Sequence, residues 1–187
     1  MTNLLRHGSA TDIGRARKAN EDSLLVQPPV FAVADGMGGH SAGDVASQTA
    51  VEALSQGVAG DRSLAAAVKE ANRRVFDRAQ GSIELSGMGT TMTAVVAGGS
   101  RIEIAHVGDS RAYLFRGGRL QRLTQDHTVL DRMVRQGKLR PEEARNHPQR
   151  SVLERALGVE PDVRVDTQTI DAWPGDRLLL CTDGLTS

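Results

Sequence analysis

Short apolar runs and longer helical stretches follow one another along the chain in a non-alternating order. SLLV (residues 23–26) and VFAVA (residues 30–34) read as strands joined by the turn residues QPP, a hairpin-like start. The Ala-rich stretch from Ser41 to about Gly57 predicts a helix, with Val45, Thr49 and Leu54 on roughly one side and Gly57 as its stop. Ser63 is positioned to cap a second helix, because Leu64, Val68, Ala71 and Val75 recur at helical spacing. Two helices in succession argue against a simple alternating βαβ chain. After a polar segment from Gly81 to Gly89, TTMTAVVAG and RIEIAHVG predict two strands separated by Gly98, Gly99 and Ser100. RAYLFR and RLQRLT flank Gly117-Gly118, a strong hairpin signal because both glycines accept positive φ. A helix is expected over Thr128–Gly137, with Val129, Leu130, Met133 and Val134 on one side, and another opening at Pro141. RLLLC then returns to strand. The class predicted is α+β, and no internal repeat, low-complexity tract or linker breaks the chain into more than one domain over residues 1–187.

Composition narrows the function classes. The chain has 187 residues, 39% hydrophobic and 25% charged, ordinary values for a globular domain. Its 23 basic residues balance 23 acidic ones, so no global field would hold nucleic acid or an anionic membrane, and any phosphate recognition must be local. No run reaches membrane-spanning length and the first residues lack the build of a signal peptide, so no membrane insertion and a cytoplasmic setting are expected. Cys181, the one cysteine, sits in an apolar run and reads as a small buried hydrophobe.

The candidate chemistry lies in four acidic clusters: Asn20-Glu21-Asp22, Asp35-Gly36, Gly108-Asp109-Ser110 and Asp183-Gly184. Asp-Gly alone is usually a turn. Here three of the four fall at the ends of strand-like runs, which would gather several carboxylates at one sheet edge, where repulsion is costly unless cations neutralise it. Oxygen ligation without a His/Cys cluster favours Mg²⁺ or Mn²⁺ over zinc, and glycine after the aspartate lets a backbone carbonyl approach an ion. Two such ions, about 3.5–4 Å apart, would hold a bridging water and make it a nucleophile toward phosphorus. His40 could orient the loop after Asp35 or be a satisfied structural histidine, His106 is expected in the core or supporting the site from behind, and His127 and His147 carry no ligand spacing.

The successive segments GRARKANEDS, FAVADGMGGHSAGDVAS, GMGTTMTAVV, IAHVGDSRAYLFRGGRLQRLTQDHT, NHPQRSVLERALG and LLLCTDGL resemble, in order and over nearly the whole chain, the motifs of bacterial type 2C metal-dependent protein phosphatases. That resemblance implies a four-layer α-β-β-α sandwich, two antiparallel sheets flanked by paired helices. It also implies hydrolysis of phosphoserine and phosphothreonine in proteins, with phosphorylated proteins as substrates and a Ser/Thr kinase as the opposing enzyme. By motif, Asp35 would bridge two core ions, the Gly36 carbonyl would join one of them, and Asp183 would bind the second. Glu21 and Asp22 would hold ion-bound waters, Asp109 would help form a third, weaker site, and Arg17 would grip the phosphate through its planar fork.

Two departures from the family pattern carry expectations. Met37 stands where eukaryotic relatives place a histidine proposed as general acid, which leaves leaving-group protonation unassigned. The family pattern also continues past the position of Ser187 to an Asp-Asn motif whose aspartate binds a core metal, so weakened core-metal binding is expected of these 187 residues. Competing readings divide unevenly. Cys181 has no arginine-closed phosphate loop, and DGMGGHSAGD breaks both the Rossmann and the Walker spacing. A non-catalytic phosphatase-like binding module, and a phosphatase dedicated to one phosphorylated regulator such as an anti-anti-sigma factor, stay open. The polar segment from Thr124 to Gly158 is a candidate flap that sets specificity.

Overall fold

The structure is a computed structural model that describes residues 5–15, 17–38, 42–60, 62–145 and 147–186. His40 and Ser41, singled out above, lie outside the described residues.

The opening hairpin forms as expected. β1 (Asp22–Gln27) and β2 (Val30–Met37) pair antiparallel from Asp22↔Asp35 to Gln27↔Val30. Alternation sorts the side chains of β2, with Ala32 and Ala34 in one core cluster and Phe31 packed against another. The first of these clusters lies under α1 (Ala42–Ala59) and α2 (Leu64–Gln80). It is built of small residues: Ala46, Ala50 and Ala53 of α1 are fully buried near Ala34, Ala94 and Ala105, so the helix approaches the sheet closely and few aromatics are needed. Ser63 caps α2 as predicted, its hydroxyl accepting from the Ala66 N–H at 3.3 Å.

Gly57 does not stop α1. The helix runs through it to Ala59, and Gly57 is buried where a Cβ would lie 2.9 Å from the Cβ of Ala67 on α2. The glycine is kept by the helix–helix approach, a long-range demand that a helix-stop reading cannot anticipate. Gly57→Leu is therefore expected to force α1 and α2 apart, costing about 1–3 kcal/mol, or roughly 2–4 °C of Tm per kcal/mol in thermal unfolding. An unchanged Tm would show that the helices do not meet there.

β3 (Gly89–Thr90) adds a short ladder to β2 at Gly36 and Met37. β4 (Met92–Gly98) and β5 (Arg101–Val107) form the second hairpin, with Gly99 at φ 68° in its turn. β6 (Arg111–Arg116) and β7 (Arg119–Arg122) form the third around Gly117 and Gly118, at φ 56° and 77°. α3 (Val129–Arg135), capped by Thr128, and α4 (Pro141–Arg145) follow. β8 (Asp166–Asp171) then pairs with β5, and β9 (Arg177–Cys181) with β6. β8 escapes sequence reading because DTQTID offers one apolar residue, Ile170, and its strand character comes from pairing with β5.

All named pairings are antiparallel. The larger sheet runs β1-β2-β4-β5-β8 with β3 beside β2, and the smaller runs β7-β6-β9. Val95, Ala97, Ile102 and Ile104 of the larger sheet pack with Leu178 and Leu180 of β9, closing a β-sandwich. Among the described residues the long helix pair covers the outer face of the larger sheet. No helix among the described residues is long and apolar enough to cross a membrane.

Antiparallel order also places the chemistry. The start of β1, the end of β2, the start of β4, the end of β5 and the start of β8 share one edge, as the pairs Asp22↔Asp35, Met92↔Val107 and His106↔Asp166 require. In the smaller sheet the end of β9 meets the start of β6 at Arg111↔Cys181. Asp22, Asp35, Asp109 and Asp183 all lie at these ends.

Candidate functional site

Asp22 and Asp35 face each other across the β1/β2 ladder. The Asp35 main chain is tied down by threonines: its N–H donates to Thr91 Oγ1 at 2.9 Å, and its carbonyl accepts from the Thr91 N–H and from Thr90 Oγ1, both at 2.9 Å. Since Thr91 Oγ1 accepts from Asp35, its own proton is free for Ser110 Oγ, 2.7 Å away. Thr93 Oγ1 donates to the Ser110 carbonyl at 2.9 Å. A small set of buried hydroxyls thus joins the Asp35 strand to the Asp109-Ser110 turn. Thr182 Oγ1 donates to Asp22 Oδ2 at 2.8 Å, linking the residue before Asp183 to β1. Sequence reading named the carboxylates and missed these hydroxyls; the adjacent threonines of GTTMT, polar residues inside an apolar strand, are the signal that marks them.

Glycine permits the close approach of backbone segments here. A Cβ on Gly36 would lie 1.9 Å from the Gly43 carbonyl oxygen in the first turn of α1, and one on Gly43 would lie 2.7 Å from Glu21 Oε1. Glu21 is thereby held beside the α1 terminus, and its main-chain carbonyl accepts from the Gly36 N–H at 3.1 Å. Arg17, with a side chain 75% exposed, stands 3.7 Å from Glu21 Oε2.

The carboxylates act on one another. Burial first, and then the charges of Asp22, Asp183 and Asp109, push Asp35 up to about 8, with Arg17 giving partial relief. Burial, followed by Asp183 and Asp126, raises Asp109 to about 6. Asp22 is raised by burial and by Asp183, opposed by its Thr182 hydrogen bond. Arg17, Glu21, Asp22, Asp35 and Asp183 line one cleft of about 1110 Å³; Asp109 does not line it and joins the group through its field on Asp35.

This arrangement predicts a pH dependence for the metal-free protein. Unfolded, Asp35 ionises near its ordinary 3.8; folded, it keeps its proton to about 8. Between those values the folded state binds more protons, so stability is greatest at the acid end and falls as pH rises toward 8. Above about pH 7, where the buried neutral His106 and His127 no longer act in the opposite sense, denaturant midpoints measured in chelator should decline toward pH 8, and a midpoint rising over that range would exclude the cluster.

A divalent cation suits such a site. Among the described residues no group of three or more His, Cys, Asp or Glu is placed so that it could hold an ion. The carboxylates share a field without closing on one point, so an ion here would complete its shell from water and backbone carbonyls, the ordinary habit of Mg²⁺ and Mn²⁺. Oxygen donors, surplus negative charge and the Gly36 backbone fit that group.

Comparison with known proteins agrees with this chemistry. The family profile described as Protein phosphatase 2C matches residues 15–187. The serine/threonine phosphatase stp of Listeria welshimeri is 43% identical over 192 residues, covering 95% of this chain and 76% of the relative. The serine/threonine protein phosphatase PstP of Mycobacterium tuberculosis is 43% identical over 195 residues, covering 100% of this chain and 37% of that protein. Among solved structures, the catalytic domain of PstP in complex with 2 manganese ions superposes with a TM-score of 0.82 at 39% identity, covering 92% of this chain and 75% of that one. The serine/threonine phosphatase Stp1 of Staphylococcus aureus gives a TM-score of 0.86 at 32% identity, covering 95% and 75%. With the motif order, the antiparallel sandwich and the acidic edge all in agreement, this chain belongs to the protein phosphatase 2C family, in its bacterial serine/threonine phosphatase branch.

Proposed function

We propose that the chain hydrolyses phosphoserine and phosphothreonine monoesters in proteins, reversing Ser/Thr kinases in the cytoplasm. The observation that carries this is the convergence of Asp22, Asp35, Asp109 and Asp183, with Arg17 the cation acting on Asp22 and Asp35. Asp35, the Gly36 carbonyl and Asp183 would hold two core divalent ions, Mn²⁺ or Mg²⁺; Glu21 and Asp22 would act through intervening waters, and Asp109 would serve a third, weaker site. When bound, the two ions would supply Lewis-acid activation of a water between them and neutralise charge on the phosphoryl group. Asp35, held by Thr90 and Thr91, fixes that centre on rigid strands. Arg17 is exposed at the cleft and only loosely engaged by Glu21, so its guanidinium can leave that partner for two phosphate oxygens.

Arg17→Ala is accordingly expected to raise KM for a phosphothreonine peptide roughly tenfold or more, the loss of a charge-assisted bond of about 1.5–3 kcal/mol, with Tm unchanged. Equal KM in wild type and variant would remove Arg17 from phosphate recognition. The reaction itself is tested by Mn²⁺-dependent release of phosphate from phosphothreonine and phosphotyrosine peptides. Turnover of the first, abolished by chelator, supports the reading. Phosphopeptide binding without turnover would replace it with a binding module. Both ends of the Thr124–Gly158 segment are buried, Thr124, Asp126, His127 and Leu157 among them, so the candidate flap narrows to its exposed middle, and deleting residues 138–150 is expected to alter preference among phosphopeptides.

A further inference from the structure

Thr182 stands between β9 and the short 3₁₀ turn Asp183–Leu185, where a threonine hydroxyl ordinarily accepts from the first N–H groups of the turn. It makes no such cap here. The hydroxyl is directed instead to the far side of the cleft, where it donates to Asp22 Oδ2 at 2.8 Å.

Both partners of this bond are anchored on their own elements. The Asp22 N–H donates to Asn20 Oδ1 at 3.1 Å, and Asn20 Nδ2 donates to Thr11 Oγ1 at 2.8 Å, so the entry into β1 is already shaped around Asp22. Asp22 is then paired with Asp35 in the ladder. On the other side Cys181 is paired with Arg111, and the Leu185 N–H closes the turn on the Thr182 carbonyl at 3.4 Å. The bond therefore joins two fixed points and sets the distance between them.

That distance is one the strand ladders leave open. β1 and β2 belong to the larger sheet and β9 to the smaller, so no strand pairing fixes the interval from Asp22 and Asp35 to Asp183. The Thr91 and Ser110 hydroxyls, 2.7 Å apart, make a comparable tie beside Asp109. Sites that hold an ion need their donors placed to within about 0.5 Å, and groups behind the donors supply that placement. With Oδ2 engaged by the Thr182 proton, Asp22 keeps Oδ1 as its better acceptor for an ion-bound water.

We infer that Thr182 is a positioning residue: its hydroxyl, directed to Asp22 in place of a cap, sets the interval between the Asp22 and Asp183 carboxylates across the two sheets and fixes the plane of the Asp22 carboxylate. The inference rests on the reading of Asp22 and Asp183 as ion-holding residues given above. A threonine that only filled the end of β9 would tolerate valine; one that positions Asp22 will not.

The test is calorimetric titration of the whole chain, freed of metal, with Mn²⁺ alone. Wild type, Thr182→Val, Thr182→Ser, Asp22→Ala, Asp183→Asn and the double variant carrying Asp22→Ala and Thr182→Val are compared. Valine keeps the shape of threonine and removes the donor. Thermal unfolding in chelator establishes that each variant is folded, and Thr182→Ala, with less bulk at the same place, replaces Thr182→Val if valine does not fold. The binding that depends on Asp183 should weaken roughly tenfold in Thr182→Val and return to the wild-type affinity in Thr182→Ser. In the Asp22→Ala background Thr182→Val should add less than about twofold, because the two residues act as one unit. Wild-type affinity in Thr182→Val, or a Thr182→Ser variant as weak as Thr182→Val, overturns the inference and leaves the roles of Asp22 and Asp183 standing. A full tenfold effect of Thr182→Val in the Asp22→Ala background also overturns it, since the side chain would then act on something other than Asp22. Binding indifferent to both Asp22→Ala and Asp183→Asn removes the ion reading of these residues and the inference with it.

Discussion

Asp35→Asn is expected to lower Mn²⁺-dependent phosphothreonine hydrolysis by roughly a thousandfold while making the metal-free protein more stable at pH 8. The two effects have one cause. Asp35 sits where the charges of Asp22, Asp183 and Asp109 converge, partly buried and pushed up to about 8. Asparagine keeps the shape and removes the charge. Ions that neutralise the phosphoryl transition state supply several kcal/mol, and at about 1.4 kcal/mol per factor of ten their loss gives the rate effect. Without metal, the same substitution relieves repulsion that the folded state otherwise bears at high pH. Discounted for partial exposure, that relief is on the order of 2 kcal/mol, or about 4–8 °C in Tm. At pH 5, where Asp35 is already protonated, the gain should nearly vanish. Phosphopeptide kinetics and thermal unfolding in chelator at the two pH values check both halves. A variant that loses activity and also loses stability at pH 8 would mean that Asp35 is structural and not a charge held ready for a cation.

The second large effect belongs to a residue without a side chain. Gly36→Ala would place a Cβ 1.9 Å from the Gly43 carbonyl oxygen and 2.7 Å from the Glu21 carbonyl, both main-chain atoms that cannot rotate away. The β2 strand and the first turn of α1 must separate, at a cost of about 3 kcal/mol, or about 6–12 °C in Tm. Because Gly36 follows Asp35, the carboxylate moves with the strand, and kcat should fall at temperatures where the variant is still folded. Gly43→Ala meets the end of the flexible Glu21 side chain at 2.7 Å and should be milder. A ranking with Gly43→Ala as the more harmful substitution would contradict the close approach of β2 and α1.

The contrast between these glycines and Gly57 indicates what a sequence discloses. The three hairpins are legible because alternation and turn chemistry are local: the glycines at 117 and 118 need no distant partner to show their role. α2 is legible for the same reason, through Ser63 and its apolar spacing. The role of Gly57 depends on Ala67 of a different helix, and the strand character of β8 on the edge of β5, so neither is written in its own neighbourhood. The site divides similarly. Three of the four acidic clusters are visible as Asp-Gly or Gly-Asp steps at strand ends, and the antiparallel order brings Asp35, Asp109 and Asp183 together with Asp22. The hydroxyls of Thr90, Thr91, Ser110 and Thr182 gain their meaning only when segments distant in sequence meet.

The proposed function stands on the acidic edge being a divalent-cation centre organised on Asp35. Its most direct test is calorimetric titration of Mn²⁺ into the chelator-treated chain at pH 7, repeated in two buffers of different protonation enthalpy. Binding is expected to expel protons, because Asp35 must give up the one it holds to about 8, and Asp35→Asn is expected to abolish both the binding and the release. Mn²⁺ binding that proceeds without proton release and survives Asp35→Asn unchanged would contradict it.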